Sequence, residues 1–184
     1  MNNDYYEEQA PIEEPISLDY VKSICRITHS NEDALLTTFI HAAREKAEMI
    51  TNRLFIGREV TGYFQAPCYC QIIIRRAPLI SISAVYDGAE LIPDSEYDIQ
   101  RSNSFSRVSF DESLGATSID FRPITINFTA GYGAAQDVPQ AIRDAIAQTV
   151  CYWYSNRGDC EVGSDISGIA KRILTEFRIV NTYG

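Results

Sequence analysis

The hydrophobic period of this chain changes twice, and that change constrains its fold more than any other feature. From Leu36, apolar or small residues recur at Ile40, Ala43, Ala47, Ile50 and Leu54, spacings of four and three that put them on one face of a helix. From Arg58 to Phe128 the pattern alternates instead, as half-buried strands require. Beyond Gly131 and Gly133 the helical period returns at Ile142, Ile146, Val150 and Trp153. Helices before and after a strand cluster predict an α+β fold, a bundle of about four helices with a β-rich insertion between the second and third. No internal repeat or low-complexity segment interrupts this order.

Local signals place the boundaries. Ser17 can cap a short first helix carrying Leu18, Val21 and Cys25, and Thr28–Asn31 reads as a turn. Ser30, with Asp33 three residues on, resembles a capping box opening the long second helix, and Gly57 ends it. Small Ala43 and Ala47 at the centre of the stripe admit a second helix at close range, with Arg44, Glu45, Lys46 and Glu48 outside. Strands are expected at Glu59–Phe64, Tyr69–Arg75, Ile82–Tyr86, Tyr97–Gln100, Arg107–Phe110 and Thr125–Phe128. Asp87-Gly88 marks a hairpin, while Pro78, Pro93 and Pro123 belong at strand edges or in loops. Pro139 suits the first turn of the third helix, and Gly158 its stop. The last helix starts near Ser164 or Ser167 and carries Ile166, Ile169, Ile173 and Phe177, with Lys171, Arg172 and Arg178 on a basic face. The expected organisation is a flexible acidic arm over residues 1–14 and a single domain over 15–180, with helices in 17–57, the insertion in 58–130 and helices in 138–180. A short tail, 181–184, follows.

Composition narrows the function. The chain of 184 residues carries 16 basic and 25 acidic side chains, a formal net charge of −9. Five of the acids (Asp4, Glu7, Glu8, Glu13 and Glu14) lie in the arm, so the remainder sets 20 against 16 and is only mildly acidic. Tight binding to duplex phosphates needs clustered Lys and Arg, which this sequence lacks. An acidic wall can still surround DNA without holding it. The longest stretch without a charge, Val60 to Ile74, is 15 residues, short of the roughly 20 that span a bilayer. The acidic start is the reverse of a secretory signal, so export is not expected. Five scattered cysteines (Cys25, Cys68, Cys70, Cys151 and Cys160) suggest reduced thiols made in a reducing compartment, with Cys68 and Cys70 as two small side chains on one strand face rather than zinc ligands.

Catalytic groups are sparse. Of two histidines, His41 falls at the flank of the long helix, and His29 sits in the preceding turn near Asp33, where it could polarise Ser30. No nucleophile elbow accompanies that pair. Asp94, Glu96 and Asp98 read as a solvated loop rather than a paired acid and base. Thr129-Ala130-Gly131-Tyr132-Gly133 lacks the remainder of a phosphate-binding motif, so its glycines are assigned to turning a strand into a loop. On a helix, Tyr152, Trp153 and Tyr154 point in three directions, which makes Trp153 core and the tyrosines flank or interface. No enzyme, metal site or cofactor emerges.

Several runs carry a resemblance. Glu14-Pro15-Ile16-Ser17-Leu18, Ala42-Ala43-Arg44-Glu45, Phe128-Thr129-Ala130-Gly131-Tyr132-Gly133, Val138-Pro139-Gln140-Ala141-Ile142-Arg143 and Tyr154-Ser155-Asn156-Arg157 together resemble the head-to-tail connector (adaptor) proteins of long-tailed double-stranded DNA phages and gene transfer agents. The resemblance covers most of residues 14 to 180, and the acidic arm and the end, Ala170 to Arg178, depart from the usual pattern. It implies a non-enzymatic subunit of the virion neck, made in the host cytoplasm. Commonly twelve copies form a ring below the portal and above a stopper or tail-completion protein, and DNA passes through the lumen without specific binding. It further implies a helical ring wall, with the β-rich insertion turned outward or toward a neighbour. Lys171, Arg172, Phe177 and Arg178 are the expected portal-docking residues; the bland alternative is that they close the core and decorate its rim. Two other function classes stand beside this reading: a small hydrolase using Ser30 and His29, and an acidic regulatory interaction module.

Overall fold

In a computed structural model, residues 5–65, 71–102, 104–110, 123–157 and 165–179 are described. Among them are four helices and two antiparallel sheets, with the strand-rich segment between the second and third helices, as the changing period predicts. The chain divides into two compact units, one from Met1–Pro11 and Gly57–Tyr132, the other from Ile12–Ile56 and Gly133–Val180.

The helical unit holds α1 (Leu18–Cys25), α2 (Asp33–Thr51), α3 (Gln140–Ser155) and α4 (Gly168–Glu176). Helix α3 packs against each of the other three. Its face Ile142, Ile146 and Val150 is fully buried, and each such side chain contributes about 1.5–3 kcal/mol by leaving water. Ala43 (0% exposed) and Ala47 (1%) are buried on α2, and Phe39 meets Trp153 edge to face at 6.0 Å. Ser17 caps α1 as expected, its Oγ accepting from the Tyr20 amide at 3.1 Å.

The long helix differs from its expected limits at both ends. It starts at Asp33 without a side-chain cap from Ser30, and Asp33 instead pairs with Lys22 at 2.7 Å. It stops at Thr51, where Asn52 takes the left-handed conformation (φ 55°) and its side-chain amide donates to the Ile179 carbonyl at 3.1 Å. Leu54, Phe55 and Ile56 are therefore buried from a loop, not from a helix that runs to Gly57. On α4, Ser167 is the N-cap, but the buried positions are Ala170 and Leu174, together with the preceding Ile166. Ile169, expected on the apolar stripe, is 66% exposed. Spacings of four and of three both fit a short helix, and only packing chooses between them.

In the strand unit, β1 (Tyr5–Glu8), β2 (Arg58–Gln65), β8 (Pro123–Ala130), β4 (Leu79–Asp87) and β5 (Glu90–Ile92) form a five-stranded sheet in that order. Strands β3 (Gln71–Ile74), β7 (Ser106–Phe110) and β6 (Tyr97–Arg101) form a three-stranded one. The Asp87-Gly88 hairpin is present, with Gly88 at φ 60° between β4 and β5. In the helical unit, Gly133, at φ 120°, lets the Asp137 carboxylate turn back on the Ala134 amide at 2.9 Å.

Strand β1 lies where an arm without regular structure was expected. Its Glu8 meets Arg58 at 3.2 Å and Arg76 at 2.5 Å, and the Tyr6 ring sits edge-on to Phe64 at 5.7 Å beneath the Arg76 guanidinium. Of the acidic residues that suggested a solvated arm, Glu8 has cationic partners far along the chain, Glu7 accepts from the Tyr63 hydroxyl and Glu13 from the Ala135 amide.

Candidate functional site

The polar architecture of the helical unit fastens its helices to one another and to the loops beside them. Glu14 and Arg44 pair at 2.9 Å, Arg44 and Glu48 at 3.0 Å, and the His41 Nδ1 lies 2.7 Å from a Glu14 oxygen. The second oxygen of Glu48 accepts from the Phe55 amide at 2.8 Å, which holds the loop after α2. Arg44 (5% exposed) and Glu48 (9%) are thus buried, although the apolar stripe of the helix had left both outside. Their i,i+4 spacing and the Glu14-Pro15 lead-in were the available signal.

A second cluster ties the end of α3 to the turn before α2. Tyr154 donates a short hydrogen bond to Glu32, which also meets Arg157 at 3.5 Å and His29 at 3.9 Å. Arg157 stacks over the Tyr154 ring at 4.3 Å. The hydrogen bond to Glu32 pushes the Tyr154 phenol above its usual range. The Tyr154-to-Arg157 run is therefore a structural clasp. His29 is engaged with Glu32 rather than with Asp33, and among the described residues it shares no hydrogen bond with Ser30.

A third cluster joins α1 to α3. Tyr20 donates a short bond to Asp144, and the Gln140 amide donates to Asp144 at 2.7 Å and to the Tyr20 oxygen at 2.9 Å. The bond to Asp144 raises the Tyr20 pKa. The same helices are linked by a disulfide between Cys25 and Cys151, with Cα atoms 5.4 Å apart. This corrects the expectation of reduced thiols at those two positions: an odd total does not forbid one bridge where two helices face each other. Cys68, Cys70 and Cys160 lie outside the described residues, as does Gly158.

Of the expected docking residues, Lys171, Arg172 and Arg178 are exposed, and Phe177 is half-buried. The Phe177 carbonyl accepts from Arg53 Nε at 2.7 Å, and the buried Ile179 donates its amide to Thr51 at 2.9 Å. Exposed Ile169 shares the outer surface of α4 with Lys171 and Arg172. Among the described residues no group of His, Cys, Asp and Glu is arranged to hold a metal, and no helix is long and apolar enough to cross a membrane.

An open groove of about 600 Å³ lies beside α1 and the start of α3, lined by Glu13, Glu14, Tyr20, Gln136 and Arg143 among others. Sequence motifs gave no sign of it, because its walls come from residues 13–20 and 134–143.

The sequence profile described as "Phage gp6-like head-tail connector protein" matches residues 15–168. The chain belongs to this family. Three solved structures share the fold over nearly the whole length. A chain from the neck of an empty gene transfer agent (GTA) particle, computed with C6 symmetry, is 18% identical with a TM-score of 0.79, covering 98% of both chains. One from the virion of a native gene transfer agent particle is 20% identical with a TM-score of 0.76, covering 97% of both. One from the neck of a native GTA particle, computed with C12 symmetry, is 17% identical with a TM-score of 0.73, covering 98% of both. Among curated proteins, none matches this connector in sequence.

Proposed function

We propose that this connector is a structural ring subunit of the virion neck, about twelve copies seated between a portal protein and a stopper or tail-completion protein, with genome DNA passing through the lumen. In this reading the two compact units work as the single adaptor domain of residues 15–180. The observation that carries the reading is the family match over residues 15–168, supported by a fold shared with chains from particle necks of C6 and C12 symmetry. The clustered side chains fit a structural role, since each fastens a helix to another helix or to an adjoining loop or turn, and a ring subunit must be rigid enough to hold register with its neighbours. The body charge fits a conduit, because a wall without a basic cluster does not retain phosphates. We assign portal docking to Lys171, Arg172, Phe177 and Arg178 and no catalytic turnover to the chain.

The test is imaging of particle necks made with and without this protein. Heads that carry a ring of this chain beneath the portal, and tail-less heads in its absence, are expected. Particles that attach tails normally without it would refute the assignment.

A further inference from the structure

The groove beside α3 is lined by Arg143, whose Nε finds no acceptor among the described residues. Arg143 ends the run Val138 to Arg143 as Arg157 ends the run Tyr154 to Arg157. Arg157 is satisfied at home by Glu32, by the Tyr154 ring and by the Tyr154 carbonyl. Arg143 is not: its Nε is buried with no hydrogen-bond acceptor, and no described residue forms an ion pair with its guanidinium. Native chains rarely leave such a donor unmet.

The carboxylates around it are committed elsewhere. Glu13 accepts from the Ala135 amide at 2.8 Å, Glu14 is held by Arg44 and His41, and Asp144 by Tyr20 and Gln140. Among the described residues, then, the nearby carboxylates are already engaged, and the groove Arg143 lines is open to admit an acceptor from outside.

We infer that Arg143 receives a carboxylate side chain from a neighbouring copy of this chain, making the groove a ring contact. This rests on the ring reading above. A guanidinium and a carboxylate match in charge and in the geometry of their paired donors and acceptors, and the chain is rich in acids, 25 against 16 bases. Duplex DNA is a poorer occupant, since it brings a row of phosphates against Glu13 and Glu14, whereas a side chain brings one charge.

Two experiments test this. In the first, Arg143→Gln and Arg143→Lys variants are compared with the parent for melting midpoint and for ring formation by sedimentation and neck imaging. The Gln variant should melt with the parent, because no internal partner is lost. The chain concentration needed for half-assembly should rise about tenfold or more, with partial recovery in the Lys variant. Wild-type ring formation by Arg143→Gln overturns the inference, and so does a large fall in its melting midpoint, which would mean that Arg143 serves the subunit's own fold. A parent that never forms rings refutes the ring reading itself, and this inference with it. In the second, a photoreactive residue replaces Gln136 on the groove's exposed lip, and particles are irradiated. An adduct of twice the 20.7 kDa chain mass supports a second copy, and an adduct to DNA or to a different protein overturns it.

Discussion

Removing the Arg44 guanidinium should unfold the helical unit at a markedly lower temperature. Arg44 is 5% exposed and bridges Glu14 at 2.9 Å and Glu48 at 3.0 Å. In Arg44→Met the stem volume is kept, so the loss is electrostatic rather than a cavity. Deleting one member of a buried ion pair strands the other, which costs about 3–5 kcal/mol. Here each carboxylate keeps one partner, Glu14 the His41 ring and Glu48 the Phe55 amide, so the low end, about 3 kcal/mol, is expected. For a chain of this length that lowers the melting midpoint by about 6–12 °C. The assay is thermal unfolding followed by circular dichroism at neutral pH, with Arg44→Lys and Arg44→Met/Glu48→Gln as companions. Lysine should recover part of the loss, and the double variant should be more stable than Arg44→Met, because it no longer buries the Glu48 charge while the glutamine oxygen can still accept from the Phe55 amide. A loss below about 1 kcal/mol in Arg44→Met would show that the pair is screened by water and that the helix carries it as ordinary surface charge.

Ala43→Leu should overpack the α2 core and cost about 1–3 kcal/mol, read as a fall in the denaturation midpoint; no change would mean the position has room. Burial, followed by a hydrogen bond to Asp94, pushes the Tyr97 phenol up to about 12. Because its folded pKa lies above the unfolded value near 10, Tyr97 stabilises the strand unit fully below pH 10 and loses that contribution as pH rises toward 12. Tyr97→Phe should remove this alkaline fall, and absorbance titration near 295 nm should show one tyrosine ionising last. Alkylation without prior reduction should leave Cys25 and Cys151 unlabelled in the mass spectrum, and reduction should lower stability by about 2–5 kcal/mol, as expected for a bridge that closes a separation of 126 residues.

The fold class was legible because it depends on period alone. Alternation from Arg58 and the helical stripe Ile142, Ile146, Val150 and Trp153 are properties of neighbouring residues, and the structure places both as read. What the sequence hid depends on partners far apart in the chain. Glu8 looks solvated until Arg58 and Arg76 are beside it, and Arg44 looks exposed until Glu14 folds back over it. Helix α4 shows the remaining ambiguity: nine residues contain too few turns for spacing to decide between Ile169 and Ala170 as the buried position, and contact with α3 decides it. The groove at Arg143 was illegible for the same reason, since a motif names a residue but not whether its partner lies in the same molecule.

The structure also changes how the docking assignment must be tested. Deleting residues 177–184 is the obvious perturbation, but it would remove Ile179, which is 5% exposed and bonded through its amide to Thr51, and the Phe177 carbonyl that anchors Arg53. Such a truncation is expected to loosen the end of α2, so a failure to join heads would report folding rather than docking. The informative changes are those at exposed positions. Lys171, Arg172 and Arg178 carry no hydrogen bond or ion pair through their side chains among the described residues, so Lys171→Glu/Arg172→Glu/Arg178→Glu should leave the melting midpoint within about 0.5 kcal/mol per position of the parent. Docking through a basic surface should respond strongly, because charge reversal replaces attraction with repulsion at the moment of encounter and in the bound state. The expected outcome is a folded subunit that binds portal-bearing heads at least tenfold more weakly, with the parent's own binding weakened by added salt. A triple variant that keeps both its circular dichroism spectrum and wild-type occupancy on purified heads would remove the basic face of α4 from the portal contact.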